Sequence, residues 1–192
     1  MKRILLIFLI LTLLTTNVFC FAQYDKAEDN TTEAEAGIVE LSADYDKEAF
    51  KLLSFLGVMS EQDMQNDKAV TRQEFVNMVG KLAGITAGGT TNYYDDVDKG
   101  NMANSFVDFG YLKVGEDKLF RPSDNVTTIE SYYILLRVLG YEEYVNAAGG
   151  SEYDYLKMAK RIKLSISDNL SKELSLSEVC NLLFNTLKCS VY

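Results

Sequence analysis

The stretch Val70-Thr71-Arg72-Gln73-Glu74 decides the fold, because it returns twice further along the chain. The later copies are Val126-Thr127-Thr128-Ile129-Glu130 and Leu174-Ser175-Leu176-Ser177-Glu178. In each copy an aliphatic residue precedes a Thr or Ser, and a Glu follows three positions after that hydroxyl. This spacing predicts a capping box, in which the hydroxyl and the Glu carboxylate each accept a hydrogen bond from the other residue's backbone N–H. We therefore expect three helices to begin here, with these structural capping residues: Thr71, Glu74, Thr127, Glu130, Ser175 and Glu178.

The residues after the three boxes repeat one apolar pattern. Counted from the Glu, the fourth position holds Met78, Ile134 or Leu182, the fifth holds Val79, Leu135 or Leu183, and the ninth holds Ala83, Leu139 or Leu187. This spacing predicts amphipathic helices, and another helical pattern precedes each box. No such unit can bury its apolar face alone, so we expect the three to pack together. Since no alternating run is long enough for a substantial sheet, the predicted fold class is all-α, with three helix–loop–helix repeats in a pseudo-threefold bundle.

The chain before the first helical pattern is of a different kind. Lys2 and Arg3 precede the apolar run 4–14, and the small residues Cys20 and Ala22 suit a signal-peptidase site. We predict a signal peptide at 1–22 and an acidic flexible spacer at 23–44. The repeats are then placed at 45–90 (repeat 1), 91–145 (repeat 2) and 146–192 (repeat 3). An uncleaved N-terminal anchor is the alternative, although the run is shorter than the ~20 residues of a membrane span.

The composition excludes several classes of function. The net charge is −9, which argues against electrostatic binding of nucleic acid, and the chain has no His for catalysis or metal binding. No nucleophile–base pair or phosphate-binding glycine loop is apparent, so we expect neither an enzyme nor a cofactor. The loop from Asp63 to Glu74 can be aligned with a calcium-loop template, but Lys68 stands where that template requires Gly. We predict no metal site, and no membrane partner for the mature form.

Two cysteines remain once the predicted signal peptide is removed. Cys180 and Cys189 are nine residues apart in or just after the last predicted helix. Nine residues of helix span ~13 Å, whereas a disulfide needs Cα atoms within ~7 Å. We expect both thiols to be free, with Cys180 in the core.

These motifs, in this order, resemble S-layer homology repeats. That family's repeat opens with an aromatic-x-Asp-Val element, continues through a Gly-containing loop with Phe-x-Pro, and places Thr-Arg-Ala-Glu at a helix start. Repeat 2 is similar at Tyr94-Asp95-Asp96-Val97, at Gly115 and at Phe120-Arg121-Pro122, and it closes with Leu139-Gly140-Tyr141. Thr71-Arg72-Gln73-Glu74 is similar to the helix-opening motif. The resemblance covers about residues 45–190.

The resemblance implies a location and a ligand. It implies an exported protein in the cell wall or S-layer of a Gram-positive-type bacterium. It also implies non-covalent binding of a secondary cell-wall polysaccharide, often pyruvylated, in grooves between repeats. The ligand-binding residues carried over are the motif residues Thr71, Arg72 and Glu74, the loop residue Gly115, and Met102, which stands where the family has Trp.

Elementary electrostatics is consistent with an anionic ligand at the first box. A capped helix start exposes backbone N–H groups at the positive end of the helix dipole, and Arg72 adds a planar donor pair suited to a carboxylate. The equivalent positions are Thr128 and Leu176, so at most one groove keeps this chemistry. Two interpretations stay open: a wall-anchoring module that binds polysaccharide beside Arg72, or an extracellular structural or protein-interaction module that has lost glycan binding.

Overall fold

The computed structural model describes residues 46–60, 62–63 and 67–191. The predicted signal peptide and acidic spacer lie outside these residues. Within them, the helices are α1 Lys47–Phe55, α2 Arg72–Leu82, α3 Met102–Asp108, α4 Thr128–Val138, α5 Glu142–Ala147, α6 Glu152–Arg161 and α7 Leu176–Lys188. The described part contains isolated backbone pairings but no extended strand, which confirms the all-α prediction.

The box helices begin where the sequence pattern places them. Both reciprocal hydrogen bonds of the capping box are present at the starts of α2, α4 and α7. A further box, Ser151 with Asp154, opens α6 and was not predicted, because an Asp replaces the expected Glu. Gly57 and Gly110 end α1 and α3 in the left-handed region, and Lys163 takes the same position after α6 with φ 61°.

The three segments directly before the boxes hydrogen-bond to one another in cyclic order. The Val70 N–H donates to the Leu174 carbonyl at 3.0 Å, the Leu174 N–H to Val126 at 3.0 Å, and the Val126 N–H to Val70 at 2.9 Å. None of the three side chains is more than 1% exposed. This closed ring of three backbone segments, which we call the central ring, therefore lies in the core.

The helices also pair in cyclic order. Helix α2 packs on α3, α4 packs on α6, and α7 packs on α1. Each box helix thus lies against the first helix of the next repeat, and the last box helix closes onto the first helix of the described chain. The apolar face of each box helix is accordingly buried by a neighbouring repeat.

Of the apolar positions that recur after each box, only some are buried in all three repeats. The fifth position after the Glu is buried in all three repeats, as Val79, Leu135 and Leu183. At the ninth position Leu139 is buried, but Ala83 is exposed and Leu187 is 41% exposed. The expectation of a common core residue there is wrong for repeats 1 and 3. Ala83 and the buried Leu139 are both C-caps, of α2 and α4, so the helix position alone does not decide burial. Leu187 lies in the last turn of α7, which continues to Lys188.

The two cysteines among the described residues, Cys180 and Cys189, are free thiols. Cys180 lies in the core, and burial, assisted by the nearby Asp46 carboxylate, raises its pKa to about 12. Cys189 is half-buried, and its burial also raises the thiol pKa. Both thiols are therefore poor nucleophiles at neutral pH.

Across the described ranges, no helix combines the length and apolarity that a bilayer crossing requires.

Candidate functional site

The predicted site surrounds the start of α2, where repeat 1 meets the loop of repeat 2. We call this region groove 1–2 and define it by the first turn of α2 and the loop 117–124. The corresponding region between the first turn of α4 and the loop 163–172 is groove 2–3. The two grooves have the same backbone frame, so their side chains can be compared position by position.

Thr71 and Glu74 are used within their own capping box. The Thr71 hydroxyl accepts from the Glu74 N–H at 3.2 Å, and one Glu74 carboxylate oxygen accepts from the Thr71 N–H at 3.0 Å. The other carboxylate oxygen pairs with the Lys68 ammonium. Burial alone would raise the pKa of Glu74, but the bonds from Lys68 and Thr71 hold it below its ordinary value. These two residues of the predicted ligand site therefore have structural partners.

The first-turn N–H groups of α2 are not open to a ligand. The Arg72 N–H donates to the Asp124 carbonyl at 2.8 Å, and the Gln73 N–H donates to the Pro122 carbonyl at 3.2 Å. The expectation that the capped helix start exposes these donors is therefore wrong, because the loop of repeat 2 covers them. The first turn of α4 is covered in the same way, because the Thr128 and Ile129 N–H groups donate to the Lys172 and Leu170 carbonyls.

The Arg72 side chain lies across the boundary between repeats 1 and 2. One of its terminal nitrogens is 3.0 Å from the carboxylate of Glu130, the capping residue of the next box. Its guanidinium carbon lies 5.4 Å from the centroid of the Phe120 ring, a cation–π arrangement. The side chain is 25% exposed. Arg72 thus presents a partly accessible guanidinium between two repeats, already engaged by one carboxylate.

A carboxylate holds the loop that forms the far wall of groove 1–2. The two oxygens of Asp96 accept from the Phe120 N–H at 2.8 Å and from the Arg121 N–H at 2.6 Å. Burial would raise the pKa of Asp96, but these two backbone bonds keep it below its ordinary value. The sequence analysis did not identify this role of Asp96, because its bonding partners lie some 25 residues away in the chain.

A buried tyrosine supports the floor of the same groove. The Tyr94 ring lies 5.5 Å from the Phe120 ring, and its hydroxyl approaches the Lys113 carbonyl at 3.4 Å. Burial, with a smaller contribution from Asp96, raises the pKa of Tyr94 to about 12, although Arg72 opposes this shift. The Phe120 ring beneath the guanidinium therefore packs against a buried and uncharged tyrosine.

Met102 and Gly115 differ in their exposure to solvent. Met102 opens α3 and is buried against α2, where a Cβ added to Gly80 would come within 2.8 Å of its sulfur. Gly115 is exposed, and its carbonyl accepts from the Lys118 N–H at 3.1 Å. Met102 is thus enclosed by the α2–α3 contact, whereas Gly115 belongs to the accessible loop.

Groove 2–3 uses a different residue to hold its loop. The Tyr132 hydroxyl accepts from the Ile166 N–H at 3.0 Å and the Ser167 N–H at 3.2 Å, and it donates to the Ser167 carbonyl at 3.0 Å. An open cleft of about 480 Å³ borders this loop, lined by Lys160, Lys163, Ser165, Ile166, Ser167 and Asp168. Sequence reasoning missed Tyr132 as a loop support, since the equivalent positions in the other box helices are Val76 and Cys180 and give no repeated signal.

The chain is similar to two large envelope proteins of Brevibacillus. It is 31% identical over 117 residues to the "Middle cell wall protein" of Brevibacillus brevis, which covers 55% of this chain and 11% of that protein. It is 30% identical over 130 residues to the "Surface layer protein" of Brevibacillus choshinensis, which covers 62% of this chain and 11% of that protein. No family model matches the chain. The similarity therefore spans about a tenth of each relative and joins this chain to a part of two cell-wall and surface-layer proteins.

Proposed function

We propose that this chain is a non-enzymatic, exported cell-envelope module that holds to the cell wall by binding a secondary cell-wall polysaccharide in groove 1–2. The similarity to a cell wall protein and a surface layer protein supports the envelope role. The cyclic hydrogen bonds of the central ring support a pseudo-threefold arrangement of the three repeats, in which such grooves form at the repeat boundaries.

The observation that carries the ligand assignment is the guanidinium of Arg72 over the Phe120 ring at a repeat boundary. A guanidinium binds a carboxylate through paired N–H donors, which suits the ketal carboxylate of a pyruvylated sugar. Since the first-turn N–H groups are closed by the loop of repeat 2, anion recognition rests on this side chain alone. Of the other predicted ligand residues, Thr71 and Glu74 hold the start of α2 through their capping bonds. Met102 packs against Gly80 of α2, and the exposed Gly115 precedes the loop of the groove.

A second candidate is favoured by the ion pair between Arg72 and Glu130 at 3.0 Å. This contact joins two repeats and gives Arg72 a structural purpose without any ligand. In that case the chain is an extracellular structural or protein-interaction module on the same scaffold. The two candidates differ in one measurable property, the retention of the protein by the cell wall.

Retention by purified Gram-positive sacculi separates the candidates. We expect the protein to be retained by sacculi that carry a pyruvylated secondary polysaccharide and to be lost from the same sacculi after that polymer is extracted. Arg72→Ala is expected to reduce retention about tenfold, the size of one lost charge-assisted hydrogen bond. Unchanged retention of Arg72→Ala would remove Arg72 from the site, and no retention of the parent protein would favour the second candidate.

The matched control is Lys172→Ala. Lys172 pairs with a capping glutamate, Glu178, at 2.5 Å, as Arg72 pairs with Glu130, but it does so within repeat 3. The control thus removes one positive charge and one capping ion pair without touching groove 1–2. Its retention should equal that of the parent protein, and far-UV circular dichroism should show equal helix content for all three.

A further inference from the structure

The three capping glutamates obtain their positive partners in two different ways. Glu74 pairs with Lys68 and Glu178 pairs with Lys172, and each lysine stands three positions before the Thr or Ser of the same box. In the second box that position is Asp124. Glu130 therefore has no lysine of its own and pairs with Arg72 from the neighbouring box.

The backbone shows that positions 68, 124 and 172 are equivalent. The carbonyl of Lys68 accepts from the Leu176 N–H at 2.9 Å, that of Asp124 from the Arg72 N–H at 2.8 Å, and that of Lys172 from the Thr128 N–H at 2.9 Å. Each of these residues thus accepts the same bond from the box helix of the preceding repeat in cyclic order. A lysine at position 124 would have the same access to its capping glutamate that Lys68 and Lys172 have.

We propose that Glu130 is an internal competitor for Arg72, and that Asp124 creates this competition by leaving Glu130 without a local cation. An anionic ligand then gains the guanidinium only by displacing the Glu130 carboxylate. The cap survives this displacement, because the Thr127 N–H donates to the other oxygen of Glu130 at 2.9 Å. The inference rests on the proposed function of groove 1–2 and identifies Asp124 and Glu130 as the residues that set its affinity.

The test is Asp124→Lys in the full chain. The new lysine is expected to pair with Glu130, to free Arg72, and to raise retention by polysaccharide-bearing sacculi about two- to fivefold, the range expected when a partly exposed ion pair no longer competes. Glu143→Lys is the matched control, since it makes the same change of charge at an exposed position of α5. Its retention should stay at the parent level.

The outcomes separate this inference from the proposed function. A gain that disappears in the double variant Asp124→Lys with Arg72→Ala supports both. Equal retention of Asp124→Lys and the parent protein, with the parent still retained, overturns the competition and leaves the polysaccharide site intact. An equal gain with Glu143→Lys also overturns the competition, because general attraction would explain it. No retention of any variant overturns the proposed function and this inference with it.

Discussion

Grooves 1–2 and 2–3 share a backbone frame but differ in the side chains that stabilise them. In groove 1–2 the loop is held by the Asp96 carboxylate, and Arg72 crosses the boundary to Glu130. In groove 2–3 the loop is held by the Tyr132 hydroxyl, and Thr128 stands in place of the arginine and donates from its own hydroxyl to the Lys172 carbonyl. The backbone N–H groups of the first loop are therefore held by a carboxylate, whereas those of the second loop are held by a neutral hydroxyl.

This difference indicates that the backbone arrangement of the repeats and the side-chain chemistry of their grooves have separate physical origins. The backbone arrangement comes from the capping boxes and from the central ring. Every repeat contributes the same backbone groups to that ring. The chemistry comes from single side chains, which can change without disturbing those bonds. Only groove 1–2 combines a guanidinium with an aromatic base, so we confine the proposed anion site to it.

The largest effect is expected where the grooves are alike, at the central ring. Leu174→Ala removes a fully buried side chain from the central ring, and we expect a loss of about 2–5 kcal/mol in the free energy of unfolding. Urea denaturation followed by circular dichroism measures it. The matched control is Leu187→Ala in the last turn of α7, the helix that follows Leu174, where the side chain is 41% exposed and a much smaller loss is expected. Equal losses would contradict the view that the ring is the common centre of the repeats.

A smaller and more local effect is expected in groove 2–3. Tyr132→Phe keeps the buried ring but leaves the Ile166 and Ser167 N–H groups without their acceptor, which we expect to cost about 1–3 kcal/mol. Hydrogen exchange should show the loss of protection in loop 163–172 and not in loop 117–124. Tyr133→Phe is the control, because the Tyr133 hydroxyl has no hydrogen bond to the described residues and its ring contact with Tyr155 is kept. A comparable loss in the control would contradict the view that the bonds of the Tyr132 hydroxyl to Ile166 and Ser167 stabilise the loop.

The smallest effect is a difference between the two grooves in how the hydrogen-exchange protection of their loops depends on pH. The pKa of Asp96 lies below its ordinary value of 3.8, so its bonds to Phe120 and Arg121 are fully present above that pH and are lost as the pH falls through the lower, folded-state value. The corresponding bonds in groove 2–3 are accepted by the Tyr132 hydroxyl and not by a carboxylate. We expect acid to lower the exchange protection of the Phe120 and Arg121 amides, after correction for intrinsic rates, before that of Ile166 and Ser167. Asp96→Asn should abolish this difference in pH dependence, and simultaneous loss in both loops would point to global acid unfolding instead.

The candidate site was predictable only where it depends on neighbours in sequence. The capping residues follow from a hydroxyl and a Glu three positions apart, and their hydrogen bonds are present in all three boxes. The accessibility of the α2 start was not predictable, because the carbonyls of Pro122 and Asp124 that cover it lie some 50 residues further along the chain. The partner of Arg72 was likewise left open, since a nearby acid and a ligand were equally consistent with the pattern.

Local sequence patterns were sufficient to predict the helical class, the starts of the box helices and the threefold recurrence of the motif, because capping bonds and apolar periodicity act over three to four residues. Tertiary structure alone decided that each box helix packs on the next repeat, that α7 closes onto α1, and that Glu130 takes its cation from Arg72. These contacts join residues far apart in the chain. Their identity depends on which backbone segments the central ring brings together, and no local pattern contains that information.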